Sequence, residues 1–120
     1  VSWQAKDAVN GVVYANAMGT HTIQAEADDG SIILMSVLAS VSAGSTFEIS
    51  SGLFNAQYKL SINDSNAYVA SGGIGSGSIT FSTYNSNKVK GTFQFNGARF
   101  LPDGSQEDLA VTNGEFEINL

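Results

Sequence analysis

The feature that most constrains the fold of this chain is the regular spacing of its turn-forming residues. Clusters of glycine, asparagine, aspartate and serine recur at roughly ten-residue intervals, and short runs rich in β-branched and aromatic residues lie between them. No stretch of about ten residues carries the 3.6-residue apolar period of an amphipathic helix. The best helical candidate, Ile32 to Leu38, is short and follows the Asp28–Gly30 turn signal. We therefore interpret it as a strand buried on both faces.

This pattern predicts an all-β fold. We expect about eight to ten short strands in an antiparallel β-sandwich, with a small β-barrel as the alternative. The chain has 120 residues, which fits a single domain over residues 1–120. Hydrophobic residues make up 42% of the chain, which is enough for a substantial core.

Turn chemistry predicts the register of the first long hairpin. A two-residue loop at Asp29-Gly30 places Ala27 opposite Ile32 and Ala25 opposite Leu34. Small and large apolar residues then share one face of the hairpin, so this register is consistent with a single core face.

The middle of the chain is less regular. The segment Gln57 to Ile62 alternates and predicts a strand with Leu60 on its apolar side. After a turn at residues 63–66, Tyr68-Val69 predicts a short edge strand. The glycine-rich segment Ser71 to Gly77 predicts a mobile loop. Its Gly73-Ile74-Gly75 would need a following helix to bind a dinucleotide, and no helix is predicted there.

The last third alternates most clearly. We expect Asn96-Gly97 to begin a long loop and Asn113-Gly114 to form a two-residue type I′ turn, with Gly114 at positive φ. That turn sets Val111 opposite Phe116. The alternation then sends four apolar side chains into one buried cluster, namely Phe93, Phe95, Phe116 and Ile118.

Charge and cysteine content exclude several classes of function. Charged residues make up 13% of the chain and the net charge is −6, with five basic residues. Binding to nucleic acid or to an anionic membrane surface requires clustered Lys and Arg, so we expect neither partner.

The chain has no cysteine, which excludes disulfides, thiolate metal sites and cysteine nucleophiles.

The residues form no recognisable catalytic or metal-binding constellation. His21 is the single histidine, and a triad or zinc site would need partners that the chain does not place near it in sequence. Glu115 and Glu117 share the outer face of a strand and are expected to be solvated. We expect no enzyme activity, no cofactor and no bound metal. Calcium remains an alternative for two acidic loops without EF-hand spacing, which contain Asn63, Asp64 and Asn66, and Asp103, Glu107 and Asp108.

Aromatic residues beside amides suggest one candidate ligand site. Sugar rings stack on flat, exposed aromatic side chains that have polar neighbours. Tyr84 beside Asn85 and Asn87, and Tyr68 near a turn, fit this description. We therefore name Tyr68, Tyr84, Asn85 and Asn87 as candidate ligand-binding residues. The simpler interpretation is that these tyrosines cover the edge of the fold with their hydroxyls in water.

Two motifs in the last third carry a family resemblance. Residues 91–95 read Gly-Thr-Phe-Gln-Phe, and residues 112–116 read Thr-Asn-Gly-Glu-Phe. This order resembles a family of small secreted lipoproteins of unknown function from Bacteroidetes-type bacteria, and Trp3 shortly before Asn10-Gly11 is similar as well. The resemblance implies an exported protein that is held at a membrane only by lipid on a cysteine upstream of this chain.

Together these features predict a non-enzymatic, extracytoplasmic domain, secreted or attached to the cell envelope, such as a lipoprotein module. The beginning at Val1 leads us to expect that a leader precedes it. The alternative function is a carbohydrate- or protein-binding module of an adhesin or polysaccharide-uptake system, with a glycan or another surface protein as its partner.

Overall fold

The computed structural model describes residues 2–4, 12–17, 19–27, 30–61 and 63–119, and within these ranges the all-β prediction is confirmed. The one helical element there is a single 3-10 turn, Ile49–Ser51. The described ranges contain ten strands: β1 (Ser2–Gln4), β2 (Val12–Ala17), β3 (Thr20–Glu26), β4 (Ile32–Val37), β5 (Thr46–Glu48), β6 (Phe54–Lys59), β7 (Tyr68–Ala70), β8 (Ser76–Tyr84), β9 (Lys88–Phe100) and β10 (Gln106–Asn119).

All ten strands belong to one sheet. Its order is β1-β10-β9-β7-β6-β4-β3-β2, and β8 pairs with β9 beside β7 and carries β5 on its other edge. The pairings are antiparallel, apart from β1 with β10, which is parallel. This pairing does not close into the alternative barrel, and it does not divide into the two separate sheets of the predicted sandwich.

The sheet curves around a single apolar core. His21 on β3 makes an edge-on contact with Tyr84 on β8, at 5.7 Å between ring centroids, although these strands are far apart in the sheet order. Such a contact requires the sheet to bend, because one layer can bury its apolar face only against itself or another layer. The predicted cluster is confirmed within this core, which contains Phe93, Phe95, Phe116 and Ile118.

The predicted register of the β3–β4 hairpin is wrong by one residue. Ala25 pairs with Ile33 and not with Leu34, because the loop is longer than the two residues Asp29-Gly30. Its ends are closed by hydrogen bonds from the Ala27 amide to the Ser31 carbonyl and from the Gly30 amide to the Ala27 carbonyl. Asp28 and Asp29 lie outside the described residues.

The changed register corrects the interpretation of β4 as well. Ile33, Met35 and Val37 are each at most 1% exposed and face the core, whereas Leu34 and Ser36 on the other face are only half-buried. Strand β4 is thus buried mainly on one face, as expected for a sheet with one solvated side.

The segment Asn113-Gly114 is a β-bulge inside β10 and not the predicted hairpin turn. Val111 pairs with Phe95 and Gly114 with Phe93, so β10 holds one more residue than β9 between these two pairs. The positive φ belongs to Asn113, at 54°, and not to Gly114 as predicted. Asparagine tolerates this left-handed conformation better than most residues with a side chain.

The bulge explains why the predicted core cluster forms although the predicted turn does not. Before it, the odd-numbered Val111 faces the core, and after it the even-numbered Phe116 and Ile118 do so. Since side chains alternate strictly along a strand, one extra residue exchanges the two faces. Both halves of β10 therefore present apolar side chains to the same core.

The strand pairing and the strand bounds correct three further predictions. Strand β7 lies inside the sheet, between β6 and β9, and is not an edge. Strand β6 ends at Lys59, so Leu60 is 52% exposed and does not continue the apolar face. Asn96-Gly97 lies within β9 and not in a loop, because Gly97 packs closely against the backbone of Tyr68, where a Cβ would meet atoms at 3.2 Å.

The glycine-rich segment, predicted to be a mobile loop, is closed by a bridge and leads into β8. Ser71 and Ile74 form a bridge that closes a tight turn, and β8 begins at Ser76. A Cβ on Gly75 would overlap the carbonyl oxygen of Asn96, so glycine permits a close approach of two backbones here. The segment leads into a strand and not into the helix that dinucleotide binding would need.

Candidate functional site

Tyr68, the first predicted ligand-binding residue, is buried and is 6% exposed. The Arg99 guanidinium carbon lies 4.5 Å from the centroid of its ring, and the Tyr68 hydroxyl donates a hydrogen bond to Glu107. Arg99 Nε donates to the same carboxylate at 2.8 Å. The hydrogen bond to Glu107 raises the pKa of Tyr68, and the bonds from Tyr68 and Arg99 lower the pKa of Glu107. This cluster ties β7 to β9 and β10 and leaves no free ring face for stacking.

Tyr84, Asn85 and Asn87 lie together at the turn between β8 and β9. The Asn85 side-chain oxygen accepts hydrogen bonds from the amides of Asn87 and Lys88, at 2.8 and 2.9 Å, so its carbonyl closes the turn. Tyr84 is half-buried, with its hydroxyl oxygen 3.5 Å from Nδ1 of His21. This tyrosine therefore packs inward more than it faces solvent.

The structure does not bring the two predicted tyrosines together. Tyr84 pairs with Val89 at one end of β9, whereas Val69, next to Tyr68, pairs with Ala98 near the other end. At about 3.3 Å per residue, these positions on β9 are roughly 30 Å apart. They do not form one aromatic platform.

The other candidate residues take part in local structure. His21 is 4% exposed, and its burial lowers its pKa. Asp64 accepts hydrogen bonds from the amides of Leu60 and Asn66, and Asp103 accepts them from Ser105. Among the described residues, no group of three or more His, Asp or Glu side chains gathers where a metal ion would be held. No described helix has the length and apolarity to cross a membrane.

A polar concavity lies at the β10 bulge, on the outward face of β8, β9 and β10. We call it the bulge cleft. Its volume is about 270 Å³, close to the lower end of the range for small-molecule sites. Six of its lining residues are polar and project from three strands, with Phe93 and Gly114 also in the lining: Ser78, Thr80, Thr92, Gln94, Asn113 and Glu115.

Strand register explains why these side chains converge. Thr80 pairs with Thr92, and Thr92 pairs with Glu115, so the three stand side by side on the outward face. Ser78 pairs with Gln94. Gln94 in turn lies opposite Thr112 and Asn113, the two residues that form the bulge in β10. The bulge bends the strand at this point and aims Asn113 at the cleft, which is a known use of bulges.

The cleft is built mainly from hydrogen-bonding side chains. Hydroxyls and amides supply both donors and acceptors around it, whereas the ring of Phe93 packs in the core on the inward face of the sheet. Glu115 is the single ionisable residue among the described lining residues, and none of them is basic. The cleft therefore suits a neutral ligand with several hydroxyl groups, and it offers nothing to neutralise an anion.

Sequence reasoning did not identify this cleft. Because Phe93 and Phe95 are predicted to face the core, strict alternation puts Thr92 and Gln94 on the outward face. Their alignment with β8, however, depends on register, which is a long-range property. The one local signal was Asn113-Gly114, which favours a bulge as well as a turn because both need a left-handed residue.

Comparison with known proteins identifies the family and no individual relative. Neither the curated proteins nor the solved structures give a significant match to this chain. A family profile with the description "Domain of unknown function (DUF6252)" matches residues 1–118. Because that match spans nearly the whole sequence, the chain belongs to this family of domains of unknown function.

Proposed function

We propose that this domain is a non-enzymatic recognition module that binds carbohydrate in the bulge cleft. The observation that carries the proposal is the convergence of six polar side chains from three strands on one concavity. Ligand sites commonly fix the orientation of their ligand through a small number of precisely placed polar groups. The absence of basic residues from the described lining favours a neutral, hydroxyl-rich ligand over a phosphorylated or acidic one.

The contacts of the cleft support binding rather than catalysis. Acid–base hydrolysis of a glycosidic bond uses two carboxyl groups across the bond. The described lining of the cleft contains one carboxylate, Glu115, while its neighbour Glu117 lies within 3.9 Å of Lys88 and 3.7 Å of Lys90. A bound glycan would meet hydrogen-bonding groups but not a matched acid and base.

We further propose that the domain works outside the cytoplasm, as a secreted or envelope-attached lipoprotein module in Bacteroidetes-type bacteria. The support is the polar composition, which is rich in Ser, Thr, Asn and Gly and poor in charge, together with the motif resemblance. Any lipid anchor would be carried by a cysteine upstream of this chain. A carbohydrate ligand fits this location, since glycans are concentrated at cell surfaces and in the surrounding medium.

Calorimetric titration with neutral oligosaccharides tests the function. We expect binding in the micromolar to millimolar range, and we expect Thr92→Val to weaken it roughly three- to tenfold, the value of one hydrogen bond of about 0.5–1.5 kcal/mol. The double variant Thr92→Val/Gln94→Leu should remove measurable binding. No oligosaccharide should be cleaved on prolonged incubation.

Thr22→Val is the matched control. Thr22 is half-buried on β3 and is separated from β8 by several strands of the sheet, so its loss should leave binding unchanged. Failure to bind any neutral glycan at millimolar concentration would overturn the proposal, as would equal losses in Thr92→Val and Thr22→Val. New reducing ends would contradict the non-enzymatic part.

A further inference from the structure

The bulge cleft is one end of a longer polar surface that crosses four strands. Thr46 on β5 pairs with Thr80, which pairs with Thr92, which pairs with Glu115 on β10. We call these four residues, which are three threonines and the glutamate at the end, the hydroxyl row. Adjacent strands are about 4.8 Å apart, so the row is roughly 14 Å long and runs perpendicular to the strands.

A second polar row lies beside the first. Glu48 pairs with Ser78, Ser78 pairs with Gln94, and Gln94 faces the bulge at Asn113. Between the two rows the inward positions are taken by Phe47, Ile79 and Phe93, which pack in or against the core. The outward face therefore carries two polar tracks side by side over an apolar layer, and it reaches well past the cleft itself.

Two of the four residues of the hydroxyl row, Thr46 and Thr80, are held in place before any ligand arrives. The hydroxyl oxygens of Thr46 and Thr80 are 2.9 Å apart and hydrogen-bonded, although both side chains are accessible on the surface. β-Branched side chains have few χ1 rotamers, so threonines in a strand lose little further freedom on binding. Preorganisation of this kind lowers the entropic cost of association.

We infer that the ligand is an extended glycan chain lying across the strands, with several sugar units along the hydroxyl row and one unit in the bulge cleft. This inference rests on the proposed function and specifies its ligand class. The rise per unit of an extended β-linked glucan is close to the spacing between strands, so successive units meet successive strands. A curved or helical glycan would leave the sheet after one unit.

Chain length is the variable that tests the inference. Affinity should rise by roughly three- to tenfold for each added subsite from cellobiose through cellotetraose, because each unit adds about one net hydrogen bond. It should level off once the chain exceeds the row. Malto-oligosaccharides of the same lengths, which curve, should show little gain. Thr46→Val, at the far end of the row, should reduce the ratio of cellohexaose to cellobiose affinity at least threefold, and Thr22→Val should not.

The outcomes separate the two proposals. Length-independent affinity, or an equal loss for short and long ligands in Thr46→Val, would overturn the extended chain while leaving a single-sugar cleft in place. Equal length dependence for the cello- and malto-series would overturn the extended geometry. Absence of all glycan binding would overturn both proposals. Unchanged thermal unfolding of Thr46→Val shows that a loss of binding does not come from loss of fold.

Discussion

Deleting Asn113 should be far more destructive than replacing it. Side chains alternate across the sheet, so loss of one residue from β10 sends Phe116 and Ile118 outward and turns Glu115 and Glu117 toward the core. Phe116 and Ile118 are 3% and 5% exposed in the folded chain. Their exposure alone costs about 1.5–3 kcal/mol each, or roughly 3–6 kcal/mol together, and inward carboxylates add to this.

A loss of that size removes most of the stability of a typical domain, which is about 5–15 kcal/mol. Urea unfolding of the deletion variant should therefore show a strongly lowered midpoint or no cooperative transition. Asn113→Gly is the control, because glycine keeps the residue count and adopts φ near 54° without strain, so we expect a change within about 1 kcal/mol. A deletion variant within about 1 kcal/mol of the parent would refute the argument that the bulge sets which face is buried.

Two further predictions concern the core and its one histidine. Phe116→Ala should cost about 3–5 kcal/mol, because the ring is buried against Phe81 and Phe93, whereas Glu117→Ala should change stability by less than about 0.5 kcal/mol; equal effects in urea unfolding would contradict the orientation of β10. Burial lowers the pKa of His21 below its ordinary 6.5, so the stability it contributes is complete above that pH and is lost as the pH falls toward the lowered value. The urea midpoint should therefore drop on acidification from pH 7.5 to 5.5, and a slope that His21→Asn leaves unchanged would show that another group is responsible.

The alternation of apolar and polar residues was the sequence pattern that best predicted which side chains face the core. It correctly placed Phe93 and Phe95 in the core, because each of these positions needs only a local period of two. The Asn-Gly pairs were misleading for a physical reason. An Asn-Gly pair fits a type I′ turn, a bulge or, as at Gly97, a close approach of two backbones, and only the partner strand decides among them.

Strand β9 is the partner that decides for Asn113-Gly114. It runs from Lys88 to Phe100 without interruption and pairs with nearly the whole of β10. A hairpin at Asn113 would have broken that ladder and left backbone groups of β9 unpaired, which is costly wherever they are buried. The competing long-range pairing therefore outweighs the local turn preference, and no local pattern in the sequence contains that comparison.

The candidate site could not be predicted from the sequence for the same reason, because it too depends on long-range strand pairing. Tyr68 and Tyr84 attract attention as single residues, yet their surroundings use them for packing and for the contacts with Arg99 and His21. Threonine and glutamine on the outer face of a strand look like ordinary solvated positions. They become a surface only when the register aligns Thr46, Thr80 and Thr92 across three strands.

The bulge connects the core and the cleft through one inserted residue. The same extra position that returns Phe116 to the apolar side also bends β10 and presents Asn113 beside Gln94 on the polar side. The backbone distortion is therefore held by the burial of the core, and the cleft does not depend on a flexible loop for its shape. A site supported in this way is preorganised, since deforming it would require Phe116 and Ile118 to leave the core. Removal of the Asn113 side-chain amide in Asn113→Gly should accordingly lower the affinity for the glycan without moving the strands. This variant therefore separates the contribution of the side chain from that of the bulge.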